Sequence, residues 1–146
     1  MARVKLQMPA HQIFDVQIGV RITDINYGNH LGNDSLVGLL HEARLSWLHS
    51  LRLSELNIGG AGLIMADLVV EFKLESFYAD VLNIQLYVEE VSKAGFDLFY
   101  AVINQNNKLV AKAKTGMICF NYELRKVSEI PEAFKKYLEQ ASAEKK

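Results

Sequence analysis

The chain has 146 residues, half of them hydrophobic, which suits one domain with a sizeable core. Its 16 Lys and Arg nearly cancel 17 Asp and Glu, and a net charge of −1 removes any bulk-charge case for nucleic acid. No apolar run reaches membrane-spanning length, Met1 to Leu6 lack the apolar core of a signal peptide, and the single cysteine, Cys119, forbids an intrachain disulfide, so the expected location is the cytoplasm.

Phe14, Val16, Ile18, Val20 and Ile22 alternate with polar residues or Gly19, the period of a half-buried strand. An eleven-residue polar stretch follows, Asp24 to Asp34, with three Asn, two Asp, two Gly and one His. Between a strand and a helix start, such a loop brings polar side chains and free backbone N–H groups to one point. A helix N-terminus favours developing negative charge, so the arrangement suits a reaction that passes through an oxyanion.

Asn33 or Asp34 offers an N-cap for a helix reaching about Ser50. Leu36, Val37, Leu39, Leu40, Ala43, Leu45, Trp47 and Leu48 spread around most of its circumference. The little polar back that remains predicts a largely buried helix with a sheet curled around it. A glycine-rich turn, Asn57 to Gly62, precedes four alternating strands beginning near Leu68, Leu82, Phe96 and Leu109. Cys119 falls in the last of them and reads as a buried, inert thiol. Pro131 opens a short amphipathic helix through about Gln140, and residues 141–146 read as a frayed tail. The predicted fold is α+β: a mainly antiparallel five-stranded sheet around a long helix, one domain over 1–146 with its core at about 14–134.

Three segments resemble one family. Val20 to Asn33 is similar to a pattern of Asp-x-Asp, a short loop and Gly-His-Val-Asn-Asn before a helix. His41-Glu42-Ala43-Arg44 is similar to a mid-helix Glu-Glu-Ala-Arg, and Tyr78-Ala79-Asp80 to an aromatic-Gly-Asp before a strand. The chain resembles the hot-dog fold acyl-CoA thioesterases of the 4-hydroxybenzoyl-CoA thioesterase type. The resemblance implies hydrolysis of acyl thioesters, with small to medium acyl-CoA, or an acyl-carrier thioester, as substrate and coenzyme A as part of that substrate rather than a separate cofactor. It also implies dimers or tetramers built from sheets placed edge to edge, with sites at the interface.

In that pattern the second Asp of Asp-x-Asp falls at Asn26, and the first Glu of the mid-helix motif at His41. Asn26 can orient water or a carbonyl but is no base. His30, which matches the His of Gly-His-Val-Asn-Asn, is the compensating base, because an imidazole accepts a proton at neutral pH. The expected catalytic set is therefore Asn26, His30, His41 and Asp24, with Asp24 also placed to pin the loop. Leu31, Gly32, Asn33 and Asp34 are the expected substrate-binding residues at the oxyanion end of the helix. No His, Cys or carboxylate spacing suggests a metal site. Lys73, Lys112, Lys114, Arg125 and Lys126 are candidates to meet coenzyme A phosphates. Two rivals stay open: a non-catalytic acyl-thioester binding module, which the Asn26 and His41 replacements favour, and a hydroxyacyl-thioester dehydratase on the same fold.

Overall fold

The computed structural model describes residues 1–143; the end of the expected frayed tail, 144–146, lies outside the described residues. In chain order the elements are β1 (Phe14–Gly19), a 3-10 turn (Ile22–Asp24), α1 (Asn33–Ser50), β2 (Gly62–Phe72), β3 (Val81–Glu89), β4 (Gly95–Ile103), β5 (Leu109–Asn121), β6 (Lys126–Val127) and α2 (Glu132–Ala143). The sheet is antiparallel, in the order β1-β3-β4-β5-β2, with β6 on β5. The five expected strands are joined by a sixth, the two-residue β6, which pairs with the end of β5 and lies beyond the last expected strand.

This order explains why α1 is central. Its flanking strands β1 and β2 stand at opposite edges of the sheet, so the connection between them must cross it. Inward residues of β3 (Leu82, Ile84, Leu86, Val88), β4 (Phe96, Leu98, Tyr100, Val102) and β5 (Ala111, Ala113, Met117, Cys119) bury against α1. A fully buried Leu or Phe here contributes about 1.5–3 kcal/mol.

The helix is not buried all round as its composition suggested. Leu36, Leu39, Leu40, Ala43, Arg44, Trp47 and Leu48 form one buried stripe at helical spacing, whereas Gly38, His41, Glu42 and Leu45 are exposed. The sheet covers one side of α1 only. The N-cap is Gly32, not Asn33 or Asp34.

Other boundaries also shift. Strand β1 stops at Gly19 because Val20 is drawn into paired bonds with the β2–β3 turn: Val20 N donates to the Asp80 carbonyl at 2.8 Å, and Ala79 N donates to the Val20 carbonyl at 3.0 Å. Ile22, expected to continue the strand, is exposed on the 3-10 turn. Strand β2 begins at Gly62, earlier than the alternation from Leu68 suggested, and carries a bulge between Met65 and Asp67. Helix α2 runs past Gln140 to Ala143 because Ala141 is buried. It is held through the indole of Trp47, whose Nε1 donates to the Tyr137 hydroxyl at 2.9 Å and which packs against Phe96 and Phe134. No helix among the described residues is long and apolar enough to cross a membrane.

Candidate active site

The polar loop is a small closed hairpin. Ile25 and Leu31 form an antiparallel bridge, Asn26 N donates to the His30 carbonyl at 2.9 Å, and Asn29 N to the Asn26 carbonyl at 3.0 Å. Asn29 takes the left-handed conformation at φ 68°, which Asn tolerates better than most residues. Asn26 Oδ1 accepts Gly28 N–H at 2.9 Å, an Asx turn that leaves the amide NH2 of Asn26 as its remaining donor. A Cβ on Gly28 would lie 3.2 Å from Asn26 Oδ1 and 3.3 Å from His30 Nε2. The Asn26 amide and the His30 ring therefore converge over the same glycine.

At the start of α1, a Cβ on Gly32 would meet Asp34 Oδ1 at 2.8 Å, so a larger cap residue would displace that carboxylate. With glycine there, no side chain caps the first-turn N–H groups. Of the four expected donors, Leu31 N and Gly32 N are already committed, to the Ser76 carbonyl at 2.7 Å and the Asp24 carbonyl at 3.0 Å. The helix N–H groups left for an oxyanion are those of Asn33 and Asp34, which corrects the wider set.

Beside this helix end lies a cavity of about 260 Å³, lined by His30, Leu31, Asn33 and Leu36 on one side and by Phe72, Lys73, Leu74, Glu75, Ser76 and Val110 on the other. A β-bulge shapes the second wall. Val102 opposes Ala111 and Ile103 opposes Leu109, so Val110 is the extra residue. Its carbonyl accepts both Lys73 N and Leu74 N, at 2.9 and 3.1 Å, and its side chain turns into the buried lining. His30 stands at the rim. Its Nδ1 is 3.1 Å from the Leu31 carbonyl and must be the donor there, which leaves Nε2, 3.4 Å from Glu75 Oε2, as the nitrogen that can take a proton.

Residues 20–138 match the thioesterase-like superfamily, and they include the loop, α1 and both cavity walls. The chain belongs to that superfamily. Its fold is shared with a 1,4-dihydroxy-2-naphthoyl-CoA thioesterase from Synechocystis, at a TM-score of 0.78 and 24% identity over 86% of this chain and 94% of that one. A DHNA-CoA thioesterase from Staphylococcus aureus gives 0.76 and 20%, over 86% of this chain and 85% of that one. Another Staphylococcus aureus protein, solved in complex with CoA, gives 0.81 and 18%, over 94% and 88%. A search of curated proteins finds no match. At these identities the likeness to solved structures establishes the hot-dog fold.

Within this thioesterase-like chain, His30 is the one expected catalytic residue in the cavity lining; Asn26 lies behind it against Gly28, and the other two stand apart. Asp24 is buried, and its carboxylate accepts Arg21 N at 2.8 Å, Nε at 3.2 Å and Nη2 at 3.0 Å. Those bonds hold its carboxyl below the usual range, and it lines a separate groove along α1 and β1. His41 lies eight residues beyond Asn33, about 12 Å along the helix, exposed rather than in the core. Its Nε2 is 2.8 Å from Glu55 Oε1, while Glu55 Oε2 accepts Arg44 Nε at 2.7 Å. Arg44 also donates to the buried Tyr100 hydroxyl at 2.9 Å, which in turn bonds Thr115 at 2.8 Å. This network ties the loop after α1 to the helix and the sheet.

Sequence reasoning missed Glu75 and Ser76 as site residues. Strand alternation made Glu75 a solvent-facing residue, and nothing local marks Ser76. Of the five basic candidates, Lys73 lines the cavity while its Nζ pairs with Glu71 Oε2 at 2.7 Å; Lys112 and Lys114 are engaged with the Leu6 carbonyl and with Asp67. Cys119 is fully buried, and burial pushes its thiol up to about 11.

Proposed function

We propose that this protein hydrolyses acyl thioesters, with small to medium acyl-CoA as substrate. The observation that carries the reading is the cavity at the uncapped start of α1, with His30 and the Asn26 amide beside it. The thioester carbonyl lies toward the Asn33 and Asp34 N–H groups, which stabilise the negative charge of the tetrahedral intermediate. Water attacks the carbonyl, the Asn26 amide orients it, and His30 Nε2 takes its proton. The Glu75 carboxylate faces the imidazolium so formed. Collapse of the intermediate expels the thiolate, which regains a proton, leaving free acid and CoA. A volume of about 260 Å³ suits a short or compact acyl group rather than a long chain. Lys73 at the cavity wall is the cation best placed for the coenzyme A arm. Asp24 positions the loop and His41 the connection after α1.

The same reading includes self-association along β2. Among the described residues, one side of this eleven-residue strand has no partner strand. Met65, Leu68 and Phe72, directly opposite the inward residues Met117, Thr115 and Ala111, share their face yet are 44%, 36% and 45% exposed. A second protomer's β2 would cover that apolar edge. Because Phe72 also lines the cavity, the partner would complete the site. Cytoplasmic location fits a chain whose one thiol is buried.

The test is thiol release from a panel of acyl-CoAs by wild type, Asn26→Ala and His30→Ala. Expected are turnover by wild type and a loss of at least ~100-fold with His30→Ala, about 2.7 kcal/mol of barrier. Turnover insensitive to both substitutions would sink the assigned site. A second reading, a non-catalytic acyl-thioester binding module, is favoured by the amide at Asn26 and the absence of a helix carboxylate at His41. Binding near ~1 μM, about −8 kcal/mol, with no turnover on any substrate would establish it instead.

A further inference from the structure

Among the described residues, two buried side-chain atoms lack a hydrogen-bond partner, Ser76 Oγ and Ser128 Oγ. Ser76 is distinguished by its place. It lines the cavity, is only 2% exposed, and lies with Leu36 and Val110 on a floor that is otherwise apolar. The exposed residues of the lining, Asn33, Phe72, Lys73, Leu74 and Glu75, form the mouth. The backbone of Ser76 is held tightly, its carbonyl accepting Leu31 N at 2.7 Å, so the serine is fixed against the start of α1 while its hydroxyl is left idle.

An idle buried hydroxyl is destabilising, and alanine in its place would carry no such cost. Its one torsion moves between staggered wells, which is enough to turn Oγ from a closed position onto a bound group. The thioester carbonyl must sit near the Asn33 and Asp34 N–H groups for attack. The acyl group attached to that carbonyl therefore passes Ser76, which is held against the same helix end.

Resting on the hydrolase reading, we propose that Ser76 sets substrate specificity: its hydroxyl hydrogen-bonds a polar substituent carried by the acyl group, so that acyl-CoAs with a hydroxyl there are preferred over their unsubstituted parents. The hydroxylated substrate gains a bond to a hydroxyl that is otherwise idle, whereas its parent leaves that hydroxyl as it was.

The experiment compares wild type with Ser76→Ala on matched pairs, 3-hydroxybutyryl-CoA against butyryl-CoA and each hydroxybenzoyl-CoA against benzoyl-CoA. Both kcat/KM and the thermal midpoint, with and without ligand, are read. Wild type is expected to prefer at least one hydroxylated member by ~10-fold or more. Ser76→Ala is expected to erase that preference while parent substrates change by less than about 2-fold. The ligand-free midpoint of Ser76→Ala should be unchanged or higher, since the lost hydroxyl had no partner. Equal loss on both members of every pair would make Ser76 a contact to the thioester itself and overturn the proposal. So would the absence of any preference in wild type, or a ligand-free midpoint several degrees lower in the variant. If wild type hydrolyses nothing, the hydrolase reading fails on its own. The Ser76 assignment is then decided by ligand-induced midpoint shifts: larger for a hydroxylated member in wild type alone supports it, and equal shifts overturn it.

Discussion

His30 and Glu75 face one another at 3.4 Å across the mouth of the cavity, on elements forty-five positions apart in the chain. Glu75 is well exposed, so water screens the pair and its contribution to the imidazolium is modest. Glu75→Gln is expected to lower kcat/KM by roughly 3–10-fold, well short of the loss from His30→Ala, which steady-state thiol release measures directly. His41 makes the opposite case. Its partner is Glu55, away from the cavity, and His41→Ala should leave kcat/KM within about 3-fold of wild type in the same assay. Cys119 matters to the assay itself: buried and pushed up to about 11, it should not react with a thiol reagent in the native protein.

Elements are joined here by a few polar contacts with calculable consequences. Helix α1 carries Arg44 in the middle of its buried stripe, and the Glu55 carboxylate answers it from the following loop. Removing one partner strands the other, so Glu55→Ala is expected to destabilise by about 3 kcal/mol in denaturant titration. Burial opposes ionisation of Glu55, but hydrogen bonds from Arg44 and His41 outweigh it and hold the carboxyl below its ordinary value. Asp24 is depressed likewise, chiefly by its side-chain bond to Arg21. A depressed carboxyl contributes stability that is present above its unfolded value and is lost as pH falls through its folded one. Thermal midpoints should therefore drop as pH falls below about 4, and the drop should be shallower in Glu55→Gln. The turn into β3 holds a separate strain. Ala79 sits at φ 72°, in the left-handed region, at the position where the resembling motif has glycine. Ala79→Gly is expected to raise stability by about 0.5–1 kcal/mol, net of the added freedom of the unfolded chain, as read by the thermal midpoint.

For the molecule as a whole, the open edge of β2 is decisive. Its apolar inner face and the cavity wall share Phe72, so assembly and site are linked. Wild type is expected to sediment as a dimer or larger, and the Met65→Lys, Leu68→Lys double variant as a monomer with greatly reduced turnover. A monomeric, fully active wild type would dissolve that link.

The order of strands and helices, the long central helix and the loop that bears His30 were legible in the chain because period-two and helical patterns are local properties of sequence. The start of β2, the two-residue β6 and the extension of α2 were not, since each depends on a partner: Phe120 and Asn121 for β6, the buried surroundings of Ala141 for α2. The apparent all-round burial of α1 failed for the same reason, because composition cannot say on which side a sheet will lie. At the site, Asn26 and His30 could be named from the loop alone. That Leu31 and Gly32 have spent their N–H groups, that Asp24 is committed to Arg21, and that Glu75, Ser76 and the bulged Val110 form the opposite wall were decided only by tertiary structure. Hydrogen-bond saturation and cavity shape arise between segments distant in sequence, and no local pattern encodes them.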